Sequence, residues 1–478
     1  MTPLSARARM HSGGVGTRHA DRARASERSA RTTDRLTEAV TRLARQHRVP
    51  GAQLAWHQDG RTHGVAVGEQ EHATGRELRS DSAVPIGSVG KMFTATTAMA
   101  LVADDDLDLD EPVGAQLPEL ARGAARLGDR LTLRQLLSHT SGLPSSLADR
   151  DAATSSLRRY VADRIAHCEP VCSAGAGFSY SNLGFLVAGR LIEVITGMSW
   201  FEAVESVLLR PLDIPATFVV SPNAASQPGH FAAGHTVNTR TGEPIPVAQT
   251  MTPALAPAGA LAMSARDLVA FGRLHLRDAP PGRAAPLDAD AIAEMRRAVP
   301  GAEPFGMAHG WGLGVALFGR GSTRWLGHDG TADGTSCHLR VDPAGGCVVA
   351  LTTNANTGAA MWEDLVPELA AVGLDVGMYT TPLASARPVP LPTEYFGRYV
   401  NGGTEYSVLA ARAGQPQLAV SGEVYPGLTL YERGDFAVRH PASDKWIHGG
   451  RFVTDPRTGR IDGLQTGGRI ARRERSPS

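Results

Sequence analysis

Lysine is almost missing from this 478-residue chain: of 48 basic residues only Lys91 and Lys445 are lysine, and the rest are arginine. Aromatic residues make up 5%, and four cysteines are too few for a disulfide framework at this length. Cys168 and Cys172 have the spacing of half a metal site, but no second pair of thiols or imidazoles matches it. All four are read as free thiols, and no metal or cofactor is expected. Net charge is absent as well, with 48 basic against 48 acidic residues, so no global field draws the protein to nucleic acid or anionic lipid. No apolar run reaches the ~18 residues that a membrane-spanning helix needs. What remains, 42% hydrophobic and 20% charged, is ordinary globular composition, and ~100–200 residues per domain gives two to four domains.

Residues 1–35 hold eight arginines against Asp21, Glu27 and Asp34 and almost nothing large and apolar. They read as a disordered basic tail, a solvated run rather than a nucleic-acid-binding arm. No apolar stretch follows these arginines as a secretory signal requires, so a cytoplasmic protein is expected. From Leu36 the chain is patterned. Leu36–His47 has helical spacing, and 51–57 and 62–68 form a hairpin around Asp59-Gly60. Helices are predicted from Ser88 to Ala103, Leu131 to Ser138 and Leu183 to Thr196, the last closed by Gly197. Thr335–Val341 and Cys347–Thr353 are strands around a Pro-Ala-Gly-Gly turn. Strands at both ends with helices between them predict an α+β fold or three-layer sandwich, spanning 36–375. A proline-rich linker, 376–393, is expected to lack helix and strand. Beyond it, about eight short β-like runs over 394–474 predict a small antiparallel barrel.

The lysine scarcity directs the search for chemistry. A chain that uses arginine for surface charge keeps lysine where an amine must be able to lose its proton, which arginine cannot do. Lys445 is read as a lysine that slipped through this bias. Lys91 stands three residues after Ser88 at a predicted helix start, so hydroxyl and amine share one face. A neutral lysine there can accept the serine proton, and the helix N-terminus favours developing negative charge. Tyr180-Ser-Asn182 offers a proton carrier and a hydrogen-bonding arm at i and i+2, although Ser and Asn are also common turn formers. Gly327-His-Asp-Gly330-Thr331 approaches a strand pair, with glycines that let a substrate lie close to an edge.

Ser88 lies 92 residues before Tyr180, and Tyr180 lies 148 before His328. In this order the segments Ser88-Val-Gly-Lys91, Tyr180-Ser-Asn182 and His328-Asp-Gly330 resemble the serine β-lactamase and penicillin-binding-protein superfamily, in particular its class C branch. Leu131–Pro144, Pro257–Leu268 and Trp311–Gly314 match it too. The resemblance implies a β-lactamase/transpeptidase-like sandwich in which Ser88 is acylated, Lys91 activates it and Tyr180 relays the proton to the leaving group. It also implies that Asn182 binds a substrate amide and that the N–H groups of Ser88 and Thr331 form an oxyanion hole. Asp329, Gly330 and Gly259 would line the substrate cleft. His328 replaces the lysine that helps hold a substrate carboxylate, which puts β-lactamase activity in doubt.

Three continuous segments, 48–55, 67–75 and 98–110, are similar to the stand-alone penicillin-binding-protein-type thioesterases. These peptide cyclases release nonribosomal peptides from their carrier proteins and pair the hydrolase with a lipocalin-like C-terminal domain. That resemblance implies a peptidyl carrier protein as partner, a phosphopantetheine-linked peptide as substrate and head-to-tail macrocyclisation. A cytosolic esterase, a β-lactamase, a D-amino-acid peptidase and a degenerate binding module are the alternatives. Arg469, on the last predicted strand, is either surface charge on an edge strand or an arm reaching into the cleft.

Overall fold

The computed structural model describes residues 14–148, 156–220, 231–238, 240–276, 286–319, 325–380, 387–410, 415–441, 445–455 and 458–474. Seven antiparallel strands form the central sheet, in the order Arg61–Gly68, Gly51–Gln58, Cys347–Thr353, Thr335–Asp342, Trp325–Ala332, Ala316–Phe318 and Gly310–Trp311. The first two make the expected hairpin, paired from Gln58–Arg61 to Gly51–Gly68. Its turn places Asp59 and Gly60 both at positive φ (51° and 73°), the geometry that matches strand twist. Every residue of Cys347–Thr353 is buried, because helices cover both faces of the sheet.

One face is covered by the helices Gly14–Gln46 and Gly358–Ala370, which bring Leu36, Val40, Leu43, Trp362 and Leu365 onto Trp56 and Val349. The first helix begins at Gly14 rather than Leu36, so 14–35 is helical and the boundary drawn at residue 35 falls inside an element. Alanine and arginine are strong helix formers, and this stretch continues a helix nucleated by the packed face that follows it. Residues 1–13 of the expected tail lie outside the described residues. The opposite face carries the larger core, built from Gly90–Ala103, Asn182–Thr196 and Ala265–Gly272. From Gly90 to Leu101 every residue is buried, as befits a central helix that is apolar all round. Around it, Leu133–Leu137 starts in a capping box between Thr132 and Gln135, a cap that contributes roughly 0.5–2 kcal/mol.

The C-terminal sheet has ten strands, all antiparallel. It curls around Tyr399, Tyr406, Phe436, Phe452 and Leu464 into a half-barrel. All eight expected runs are strands, and two more join them. Glu423–Tyr425 ends one edge, and Pro388–Val389 pairs with Tyr431 and Leu430 at the other. The expected linker therefore contributes a strand; proline is tolerated there because an edge strand needs fewer ladder donors. The loop at 145–146 joins the hydrolase domain to the C-terminal sheet: Ser145 N–H donates to the Asn401 side-chain Oδ1 at 2.7 Å and Gly403 N–H to Ser146 O at 3.1 Å.

Among the described residues no single helix is long and apolar enough to cross a membrane. The one bent pair with the length, Asn182–Thr196 and Trp200–Leu209, meets at 77° and supplies core residues.

Candidate active site

Ser88 sits in a single 3₁₀ turn, Gly87–Val89, immediately before the central helix. Gly87 has φ +51°, and a Cβ on it would stand 2.2 Å from Thr331 O, so only glycine fits. Likewise a Cβ on Gly330 would lie 2.1 Å from Ile86 O, and one on Gly259 would lie 2.9 Å from the Gly87 carbonyl. These contacts pack the nucleophile turn, the strand Trp325–Ala332 and the 253–259 turn against one another. Gly330 and Gly259 thus act by allowing close approach. Ser88 and Thr331, whose N–H groups were expected to bind an oxyanion, line one cavity of about 220 Å³ together with Asn182, Gly259, Leu186 and Met251.

Ser88 in the 3₁₀ turn and Lys91 in the first turn of the helix are three residues apart and share one face, with Lys91 Nζ 3.0 Å from Ser88 Oγ. The same amine donates to Ala258 O at 2.8 Å, and Lys91 is fully buried. Burial first, and then the charge of Arg469, pull its pKa well below the ordinary lysine value. The amine is thereby driven toward the neutral form that can accept the Ser88 proton. Tyr180 is a side-chain neighbour of Ser88, with its ring centre 5.1 Å from Lys91 Nζ. Burial pushes its phenol up to about 12, against the opposing effects of the Ser88 hydroxyl and the Arg469 charge, so it stays protonated.

His328 is buried with its ring 6.1 Å from that of Tyr180. Nδ1 donates to the Asp329 carbonyl at 2.6 Å, leaving Nε2 as an acceptor without a partner among the described residues. Burial, then Lys91, lower its pKa to about 4, so it is neutral at pH 7 and cannot anchor a carboxylate by charge. Asp329 does not join the site. Neighbouring strand residues point to opposite faces, and its carboxylate meets Arg340 (2.7 and 3.0 Å) and His338 Nδ1 (2.7 Å). Arg340 and His338 hold this carboxyl well below the usual carboxylate range.

Arg469 does join the site. Its guanidinium carbon stands 4.9 Å from the Tyr180 ring centre. Nε donates to Ser145 Oγ at 2.9 Å and Nη1 to Gly467 O at 2.9 Å. Three neighbours were missed in the sequence. Ser145 and Trp311 hold or flank these groups, and His139 packs against Tyr180 with ring centres 4.2 Å apart. His139 and Trp311 lay within segments quoted for resemblance, but a single ring carries no period that marks it.

The buried amine makes a prediction of definite sign. Below pH 10.5 the unfolded chain binds this proton more readily than the folded one, so stability rises with pH up to that value. The unfolding free energy of Lys91→Met minus that of the native protein should therefore fall as pH climbs toward 10.5. A pH-independent difference in urea titrations would mean a lysine that is charged when folded.

Residues 36–373 match the family described as Beta-lactamase. A curated relative, "Penicillin-binding protein 4" of Amycolatopsis lactamdurans, is 35% identical over 74% of this chain and 93% of its own length. The crystal structure of SurE is 38% identical with a TM-score of 0.82, over 94% of this chain and all of that one; a second structure holds SurE with D-Leu. A D-stereospecific amidohydrolase from Streptomyces sp. is 29% identical with a TM-score of 0.54, over 70% of this chain and 97% of its own. With nucleophile, amine and tyrosine assembled inside the matched region, the chain belongs to the beta-lactamase family of serine acyl-enzyme hydrolases and acyltransferases.

Proposed function

We propose that this protein is a penicillin-binding-protein-type thioesterase that cyclises peptides delivered on a carrier protein. The likeness to SurE, the surugamide cyclase, supports the reading because it runs through both sheets and not the hydrolase domain alone. Ser88 Oγ, losing its proton to Lys91, attacks the thioester carbonyl; the C–S bond breaks and the phosphopantetheine thiol departs with a proton relayed by Tyr180. The peptide's own amine then attacks the Ser88 ester. An amide bond forms, the C–O bond breaks, and the proton from the amine returns to Ser88. The basic groups around the nucleophile fit this use. Lys91 is driven toward neutrality and His328 is neutral, so the charged group is Arg469, supplied by the C-terminal sheet. A guanidinium suits the bidentate capture of a carboxylate or amide on the incoming end of the peptide.

The test is a peptidyl thioester carrying a phosphopantetheine mimic. The expected product is the macrolactam, with hydrolysis minor. Arg469→Ala should depress cyclisation far more than acylation of Ser88 by a small ester. Hydrolysis alone would instead favour the reading as a D-amino-acid peptidase, to which the amidohydrolase likeness belongs. Fast turnover of a penicillin would favour a β-lactamase.

A further inference from the structure

The segment that presents Tyr180 is held from two sides, and the division falls residue by residue. On the outer side its partners come from the C-terminal sheet. Gln465 Nε2 donates to Phe178 O at 2.9 Å, Tyr180 N–H donates to Gly468 O at 2.9 Å, and Ile470 N–H donates to Ser179 Oγ at 3.2 Å. On the inner side a single residue takes both flanking donors. Ser179 N–H donates to His139 O at 2.8 Å and Ser181 N–H to His139 Nδ1 at 3.0 Å. His139 adopts φ +58°, a left-handed conformation disfavoured for a residue with a Cβ. Its ring is fully buried, tilted 31° to the Tyr180 phenol and backed by Phe185 and Trp311 at 5.1 and 5.2 Å. Because Nδ1 accepts, the ring proton is on Nε2. Burial, with Lys91 close by, keeps the imidazole neutral well below its ordinary pKa.

We propose that His139 is a positioning residue for acyl transfer: by accepting the Ser181 N–H and packing its ring on the phenol, it holds the Tyr180 hydroxyl at Ser88 for protonation of the leaving group. The inference rests on Tyr180 as proton carrier and is independent of which acyl group the enzyme handles.

The experiment measures acylation of the full-length protein by two esters that share an acyl group. A nitrophenolate leaves without a proton, whereas an alkoxide needs one. His139→Phe keeps an aromatic ring but removes the acceptor. It should lose roughly 10-fold or more on the alkyl ester, part of the 10²–10⁴-fold that placed proton transfer supplies, and under about 3-fold on the nitrophenyl ester. His139→Asn sets an amide oxygen at the Nδ1 position and should recover part of that loss. Neither change should add to Tyr180→Phe. Equal losses on the two esters, additive losses in the double variants, or an Asn variant no better than Phe would overturn the proposal. Leaving a buried N–H unpaired is destabilising, so His139→Phe risks failing to fold. In that case His139→Asn, which satisfies the N–H, carries the two-ester comparison, and a flat loss there overturns the proposal. If Tyr180→Phe itself shows no dependence on the leaving group, the tyrosine assignment fails and this inference with it. A graded Tyr180→Phe beside a flat His139→Phe removes His139 alone.

Discussion

Lys91→Arg abolishes turnover although it keeps a basic head group and approximate reach. The amine lies 3.0 Å from Ser88 Oγ in a site that disfavours its charged form, and arginine has no neutral form to offer at any working pH. The expected loss is that of a general base, roughly 10²–10⁴-fold in the rate of Ser88 acylation by an activated ester. Arginine is also the larger side chain in a fully buried position, so Lys91→Met provides the control. It is uncharged and of similar length, and it should lose acylation to the same extent while keeping a native circular dichroism spectrum. Ser88→Ala should abolish covalent labelling altogether. Acylation that survives in folded Lys91→Arg would remove the lysine as base and leave it a buried structural cation.

The second large effect belongs to Tyr180→Phe. This change keeps the ring beside Lys91 and Arg469 and removes only the hydroxyl. A loss of roughly 10²–10⁴-fold is expected on alkyl esters, where the leaving group needs a proton. The pH profile separates the two groups. His328, with a pKa of about 4, contributes no limb near neutrality, so the rise of acylation with pH follows deprotonation of Lys91. The tyrosine loses its proton only near 12, so the native profile should rise and stay up through the accessible range. Tyr180→Phe should lower this curve without moving it. A shifted midpoint would mean that the tyrosine sets the protonation of Lys91 instead of carrying a proton itself.

Much of this centre was legible in the sequence because its geometry is local. Ser88 and Lys91 are one turn apart, and their side chains meet whatever the rest of the chain does. Tyr180, Asn182 and His328 came from motif order, which encodes the tertiary assembly that spacing alone does not. Asp329 was misplaced by treating neighbours in a strand as neighbours in space, although the alternation of side chains sends Asp329 to Arg340 when His328 faces Tyr180. Composition misled at both domain boundaries. The arginine- and alanine-rich stretch before Leu36 lacks large apolar residues, yet it extends the helix that Leu36, Val40 and Leu43 anchor. The prolines near 388 looked like a spacer, yet they fit a sheet edge. His139 left no trace because its work is done through one ring nitrogen and a backbone conformation, neither of which has a pattern.

The joint between the two sheets bears on how this chain can be recombined. A Cβ on Gly402 would lie 1.9 Å from Ser146 O, and one on Gly468 would lie 2.3 Å from Met307 Sδ, so the halves meet with no room for a side chain at either glycine. A chimera cut in the proline-rich stretch would look conservative on paper and would separate Tyr180 from Gly468. The exchangeable unit is instead a mosaic. The hairpin carrying Gln465 to Ile470 has to travel with 144–146, 178–181 and the loop around Met307, four stretches scattered along the chain. Drift in any of them is felt by the others, and they are expected to be inherited together.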